Sequence, residues 1–368
     1  MMPCQSGSVP QQATTEDMAM LRKASEVTRD LLAPRASRYW IDMLASAAIG
    51  YAGLVAAIAA QTFAAVAIGA AVAVLALYRA GSFIHELSHL KASAVPGFRP
   101  AWNLLVGIPL LVPSFLYEGI HTLHHNRTKY GTAADPEYLP LALMRPHTLP
   151  VFLLASVLAP AMLLVRFAVL APLSAFSPQL RAVVVERYSA LAINPAFRRR
   201  PPEGDFRRQW QWSEAGASVW AITLLSLVAT ATLPLRAFLT FLAITAGVAV
   251  INQVRTLVAH LWENEGGAIS VTAQYLDTVN VPPPALLPVL WAPVGLRYHA
   301  LHHLLPSVPY HALGEAHRRM SGALAAESPY HQANHAGLFG LIAQLVGGAV
   351  DRNRVRQQEA NARASASR

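Results

Sequence analysis

Two long apolar runs, each split by a single breaker, constrain this chain more than any other feature. Residues 41–77 are nearly unbroken Ala, Val, Ile, Leu and Gly, with Gln61 and Thr62 at the break. A spanning helix needs about 20 apolar residues. The run is too long for one span and fits two, roughly 42–60 and 62–80, joined by a tight turn. Residues 217–233 and 235–254 repeat the pattern around Pro234. Each pair reads as a hairpin that returns the chain to the side it left.

The other apolar stretches are poorer spans. Residues 101–116 are short and contain Pro109 and Pro113, which suggests a re-entrant or interfacial segment. Residues 149–176 are broken by Pro160, Arg166 and Pro172, which favours an interfacial helix pair. The expected fold is an all-α integral membrane protein with four transmembrane helices in two hairpins. A cytoplasmic helical cap would carry the functional site. Residues 1–38 read as a polar N-terminal tail with room for a short helix around 15–32. Residues 39–350 read as the membrane domain, and 351–368 as a disordered C-terminal tail.

Composition agrees with a membrane class. Only 13% of residues are charged and 54% are hydrophobic, whereas a soluble domain carries about 25% charged residues. The net charge of +9 comes almost wholly from arginine, since Lys23, Lys91 and Lys129 are the only lysines. Arg198, Arg199, Arg200, Arg207 and Arg208 precede the second hairpin, and Arg318 and Arg319 lie beyond it. This is a positive-inside pattern that puts both tails in the cytoplasm, and nucleic acid is not an expected partner. Cys4 is the single cysteine, so any metal must be held by histidine or carboxylate. Residues 1–37 have no apolar signal-peptide core.

The histidines carry the chemistry. His85 and His89 form HxxxH in HELSH. His121, His124 and His125 form HxxHH in HTLHH, and His299, His302 and His303 form it again in HALHH. His260 stands alone after the second hairpin. Positions i, i+3 and i+4 share one helix face, so each cluster aims several imidazoles at one point. Neutral imidazole suits iron, zinc or copper. Eight clustered histidines overfill one site and imply two metals. HELSH also matches the HExxH pattern of zinc proteases, with Asp277 as the tempting further ligand. That reading leaves six histidines without a use.

Three histidine boxes in this order between two apolar hairpins resemble the membrane fatty acid desaturase family, bacterial type. The similarity extends through GIPLLVPSFLYEGIHTLHHNRTKYGTAADPEY, NQVRTLVAHLWEN and VGLRYHALHHLLPSVPYHALGEAHRRM. It covers roughly residues 40–325. It implies two iron ions held on the cytoplasmic side by His85, His89, His121, His124, His125, His299, His302 and His303, with His260 as a ninth ligand. Some members carry an asparagine one turn before that histidine, where this chain has Thr256. The resemblance further implies a multi-pass enzyme of the bacterial inner membrane, an O2-dependent diiron fatty acyl desaturase acting on a lipid, CoA or carrier-protein acyl chain. A lipid, alkane or carotenoid hydroxylase would use the same boxes. No heme motif, iron–sulfur cysteine set or dinucleotide loop is apparent. Electrons would therefore come from a separate ferredoxin, rubredoxin or cytochrome-type donor.

The remaining candidates are weaker. Asp135, Glu137, Glu86, Glu263 and Glu265 read as solvated carboxylates or as acceptors for ligand ring N–H groups. His311 and His317 are candidates for orienting ligands. His331 and His335 read as surface residues, and His147 as incidental. Trp102, Tyr117 and Trp291 lie near the boxes and are candidates to flank an acyl tunnel.

Overall fold

The computed structural model describes the backbone of residues 11–366 and the side chains of residues 18–363. Cys4 lies outside the described residues. Among those described, the chain is all-helical, with isolated β-bridges such as His260 to Thr278 and no strand.

Five helical segments are long and apolar enough to cross a membrane: Ala36–Ala59, Phe63–His89, Thr148–Ser174, Gly204–Ala229 and Leu235–Leu257. Four are the expected hairpins. The fifth covers the region expected to lie along the interface. It is continuous but irregular, with a 3₁₀ turn at Ser156–Leu158 and a π-helical turn at Arg166–Leu170. Pro160 and Pro172 lie at the starts of its straight pieces, because proline lacks the N–H that a helix interior needs. Residues 101–116 contain no helix of spanning length. They fold back through Asn103, whose side chain donates to Ser114 Oγ and accepts from Ser114 N, both at 2.8 Å.

The first hairpin is built on small residues. Lipid offers no hydrophobic drive between helices, so backbone approach must supply the contact. A Cβ placed on Gly69 would lie 2.8 Å from Ala57 N, and one on Gly53 would lie 2.8 Å from Ala73 N. At Gly81 a Cβ meets nothing within 4 Å. Gly69→Val is therefore expected to cost about 1–3 kcal/mol, as overpacking does. It should lower the thermal midpoint in detergent, and Gly81→Ala should not. Equal midpoints for Gly69→Val and the wild type would refute this close crossing.

The N-terminal tail holds the short helix that the sequence left room for, now docked on the body, and the C-terminal tail is helical. Helix Gln11–Thr28 buries Met20 and Ala24 in a cluster with Leu301, Ala316 and Met320, and Arg319 ties Asp30 to Glu315. An amphipathic stripe thus docks residues that composition alone marks as a tail. Helix Leu338–Ala366 runs through the segment where disorder was expected. It is anchored by Arg352, whose Nε donates to Ala142 O at 2.9 Å.

Candidate metal centre

All nine histidines named as ligand candidates converge at the same end of the two hairpins. They form two groups. His85, His89, His121, His125 and His302 make one, and His124, His260, His299 and His303 make the other. Within each group the ligand-capable atoms lie within 4.8 Å of one another. Each HxxHH box serves both groups in opposite senses. The second box gives His121 and His125 to the first group and His124 to the other. The third gives His299 and His303 to the other group and His302 to the first. On one helix face the i+3 residue lies about 60° to one side of residue i and the i+4 residue about 40° to the other, so one box can serve two neighbouring points.

The Nε2 atoms face one another at close range. The separations are 2.9 Å for His121 and His125, 3.1 Å for His89 and His302, 3.1 Å for His260 and His299, and 3.1 Å for His299 and His303. An imidazole–metal bond is about 2.0–2.1 Å, which puts two nitrogens at right angles on one ion about 3 Å apart. Without a cation several of these contacts would set lone pair against lone pair, because the opposite ring nitrogens donate elsewhere. His121 Nδ1 donates to Glu137 Oε1 at 2.9 Å, and His124 Nδ1 to Asp135 Oδ2 at 2.9 Å. His260 Nδ1 donates to the Tyr130 hydroxyl at 2.9 Å, and that hydroxyl donates to Asp277 Oδ2 at 2.6 Å. Each bond fixes the tautomer that leaves Nε2 free. Gln274 Nε2 lies 3.1 Å from His303 Nδ1, a contact in which the amide nitrogen is the donor. The two nitrogens of buried His85 have no partner. These features fit two bound metal ions, and an all-imidazole set suits iron.

Burial and the neighbouring imidazoles hold His121, His125, His260, His299, His302 and His303 well below the usual histidine range. They are neutral, the form that binds metal. His124 differs: burial lowers it, and the Asp135 carboxylate more than offsets that. Burial pushes Glu137 up to about 7.

The carboxylates sort clearly. Asp135 is fully buried and Glu137 nearly so, against the solvated-loop alternative. Glu86 accepts from Tyr39 Oη at 2.6 Å and Tyr310 N at 3.2 Å, so both contacts are structural. Glu263 and Glu265 are exposed. Asp277 joins neither histidine group and instead holds Tyr130 and Tyr138. His311 accepts from Arg35 N, and His317 bonds Tyr330. His331 and His335 are half-buried rather than on the surface, and His147 is exposed. Thr256 is half-buried, and its neighbour Arg255 approaches His299 instead. Trp102 donates to Ala80 O, and Tyr117 stacks on His121. Sequence reasoning missed Tyr130, Tyr138, Gln274 and Arg255. They come from distant parts of the chain and have no spacing signal.

Comparison with known proteins agrees with this geometry. The fatty acid desaturase family matches residues 61–334. A curated relative, a ceramide hydroxylase of Caulobacter vibrioides, is 45% identical over 351 residues, covering 95% of this chain and 98% of that protein. No solved structure matches.

Proposed function

This chain belongs to the fatty acid desaturase family, and we propose that within it the protein is a diiron hydroxylase of a ceramide-class lipid. The observation that carries this is the 45% identity to a ceramide hydroxylase along nearly the full length of both chains. It favours hydroxylation over the desaturation that the family resemblance first implies.

The nine histidines are the proposed iron ligands. Bound iron would supply O2 activation, which side-chain acid–base chemistry cannot provide for an unactivated C–H bond. The reaction consumes the lipid, O2, two electrons and two protons, and yields the alcohol and water. The protein's own contribution is ligand orientation. Glu137, Asp135 and Asp277 act through His121, His124 and Tyr130, and hold the imidazoles by their far nitrogens. Burial of Trp262, Tyr130 and Tyr138 keeps water from the four-histidine group. The five-histidine group would hold one iron and the four-histidine group the other.

Chain parity supports four spans with the site on one face. The ring centroids of His124 and His260 are 4.9 Å apart, so the chain between them crosses the membrane an even number of times. Gly204–Ala229 and Leu235–Leu257 supply two crossings. A third by Thr148–Ser174 would strand His260 on the opposite face. Exposed Arg198, Arg200, Arg207 and Arg208 favour the cytoplasm for that face. A multi-pass protein of a bacterial inner membrane, fed by an acidic ferredoxin, rubredoxin or cytochrome-type donor, follows from the same reading.

Expression in a ceramide-producing host, with mass spectrometry of the lipids, tests the proposal. Ceramide gaining one oxygen is the expected result. Ceramide losing two hydrogens would instead establish a desaturase. One zinc and no iron in the purified protein would sink both.

A further inference from the structure

Beside His299 lies a small cavity of about 10 Å³, with apolar walls from Val279, Val281 and Leu296. That is close to the least space that holds one oxygen-sized group. Arg255 and Trp291 line it as well. Arg255 is only 7% exposed. Its Nη2 approaches His299 Nδ1 at a long 3.4 Å, and its Nε has no hydrogen-bond partner. Trp291 Nε1 is likewise buried and unpartnered, while Trp291 O is held by the Tyr78 hydroxyl at 2.8 Å. A buried guanidinium without an acceptor costs several kcal/mol, and an ionisable residue at a span's end calls for a functional partner.

We infer that this cavity receives the amide carbonyl oxygen of the lipid substrate, held by Arg255 Nε–H and Trp291 Nε1–H. The inference rests on the proposed ceramide-class reading. Two donors match the two lone pairs of one carbonyl oxygen. A hydroxyl would fit less well, because it also needs an acceptor. The lining offers no side-chain acceptor, because His299 holding a metal through Nε2 carries its proton on Nδ1. Access from the bilayer is at hand. Trp291, which lines the cavity, ends the short helix Pro288–Trp291, and Leu286, Leu287, Val289 and Leu290 around it are exposed. Such a surface lies against lipid.

The position has a regiochemical consequence. The cavity touches His299, a member of the four-histidine group. A carbonyl held there sets the oxidised C–H bond within the first few carbons of the amide and keeps the middle of the acyl chain out of reach.

The test uses the full-length iron-loaded enzyme in detergent with ceramide, with tandem mass spectrometry of the product. Arg255→Met is expected to raise KM roughly tenfold or more, as loss of a charged donor does. Trp291→Phe, which keeps the ring, should raise it a few-fold. Iron content should stay unchanged in both, and kcat should fall less than KM rises. A ceramide lacking its primary hydroxyl should behave as the parent lipid. An analogue with methylene in place of the carbonyl should lose the difference between wild type and variants. An unchanged KM in Trp291→Phe would mean that the cavity holds only water. A mid-chain hydroxyl would overturn the inference, and so would a KM that follows the primary hydroxyl. A wild type that hydroxylates another lipid and no ceramide would overturn the functional reading instead.

Discussion

Replacing His260 with alanine is expected to remove one metal from the protein and to abolish lipid oxidation. His260 is the one ligand candidate outside the three boxes, yet its Nε2 lies 3.1 Å from His299 Nε2. It completes a group that has only four members. Loss of a residue that merely orients a ligand costs about 10–100-fold in metal affinity or activity. Loss of a ligand itself should cost more. The five-histidine group shares no residue with His260, so its metal should stay. Metal analysis of purified protein should therefore fall from about two irons per chain to about one, with hydroxylated ceramide at background. His317→Ala is the matched control. His317 is also buried, bonds Tyr330 and stands in neither group, so its loss should leave both metals. Two irons and normal turnover in His260→Ala would remove this histidine from the site.

The sequence made the ligand candidates legible because helical spacing acts over one turn. HxxxH and HxxHH declare shared faces within a few residues, and His260 was added by the family resemblance, with its place after an apolar hairpin in agreement. What spacing could not show is how the boxes divide. Only the three-dimensional crossing of His121–His124 and His299–Leu304 reveals that His124 and His302 change sides. The supporting residues were harder still. Tyr130 meets His260 across 130 positions of sequence, and Arg255 meets His299 across 44. No local period encodes such pairs. The spans were read from hydropathy, which was ambiguous where helix geometry was irregular. Thr148–Ser174 is apolar enough to cross and too broken by proline to declare what it does. The polar ends misled for a related reason. Composition measures the average residue, and Met20 with Ala24 shows that one apolar stripe suffices to dock a helix.

The HExxH reading failed on orientation rather than on residue type. The sequence contains the glutamate that a zinc protease needs. In the fold Glu86 is engaged by Tyr39 and the Tyr310 backbone, on the side of the helix that packs into the first hairpin. A general base must reach a metal-bound water. Asp277, the tempting third ligand, is likewise committed, and its partners give it a larger part in the histidine site.

Asp277→Ala is expected to weaken metal binding at the four-histidine group although Asp277 belongs to neither histidine group. Its Oδ2 accepts from Tyr130 at 2.6 Å and Tyr138 at 2.8 Å, and its Oδ1 accepts from Glu263 N at 3.0 Å. Burial pushes the carboxyl up to about 6, and the tyrosine hydroxyls pull against that shift. At neutral pH it is mainly an anion that compels Tyr130 to donate toward it. Tyr130 must then accept from His260 Nδ1–H, which leaves His260 Nε2 bare for metal. With alanine at 277 the Tyr130 hydroxyl is free to donate to Nδ1 instead. That bond favours the tautomer with the proton on Nε2, where the metal should be. Stability should fall too, since three donors lose their acceptor and each costs about 1–3 kcal/mol if it stays buried and unpaired. Metal affinity at this group should drop about 10–100-fold, with the five-histidine group unaffected. Tyr130→Phe removes the same link from the other end. Because both changes act through one imidazole, the double variant should lose little more affinity than Asp277→Ala alone. Additive losses, measured by metal titration of the two single variants and the double, would show that Asp277 does not act through Tyr130 on His260.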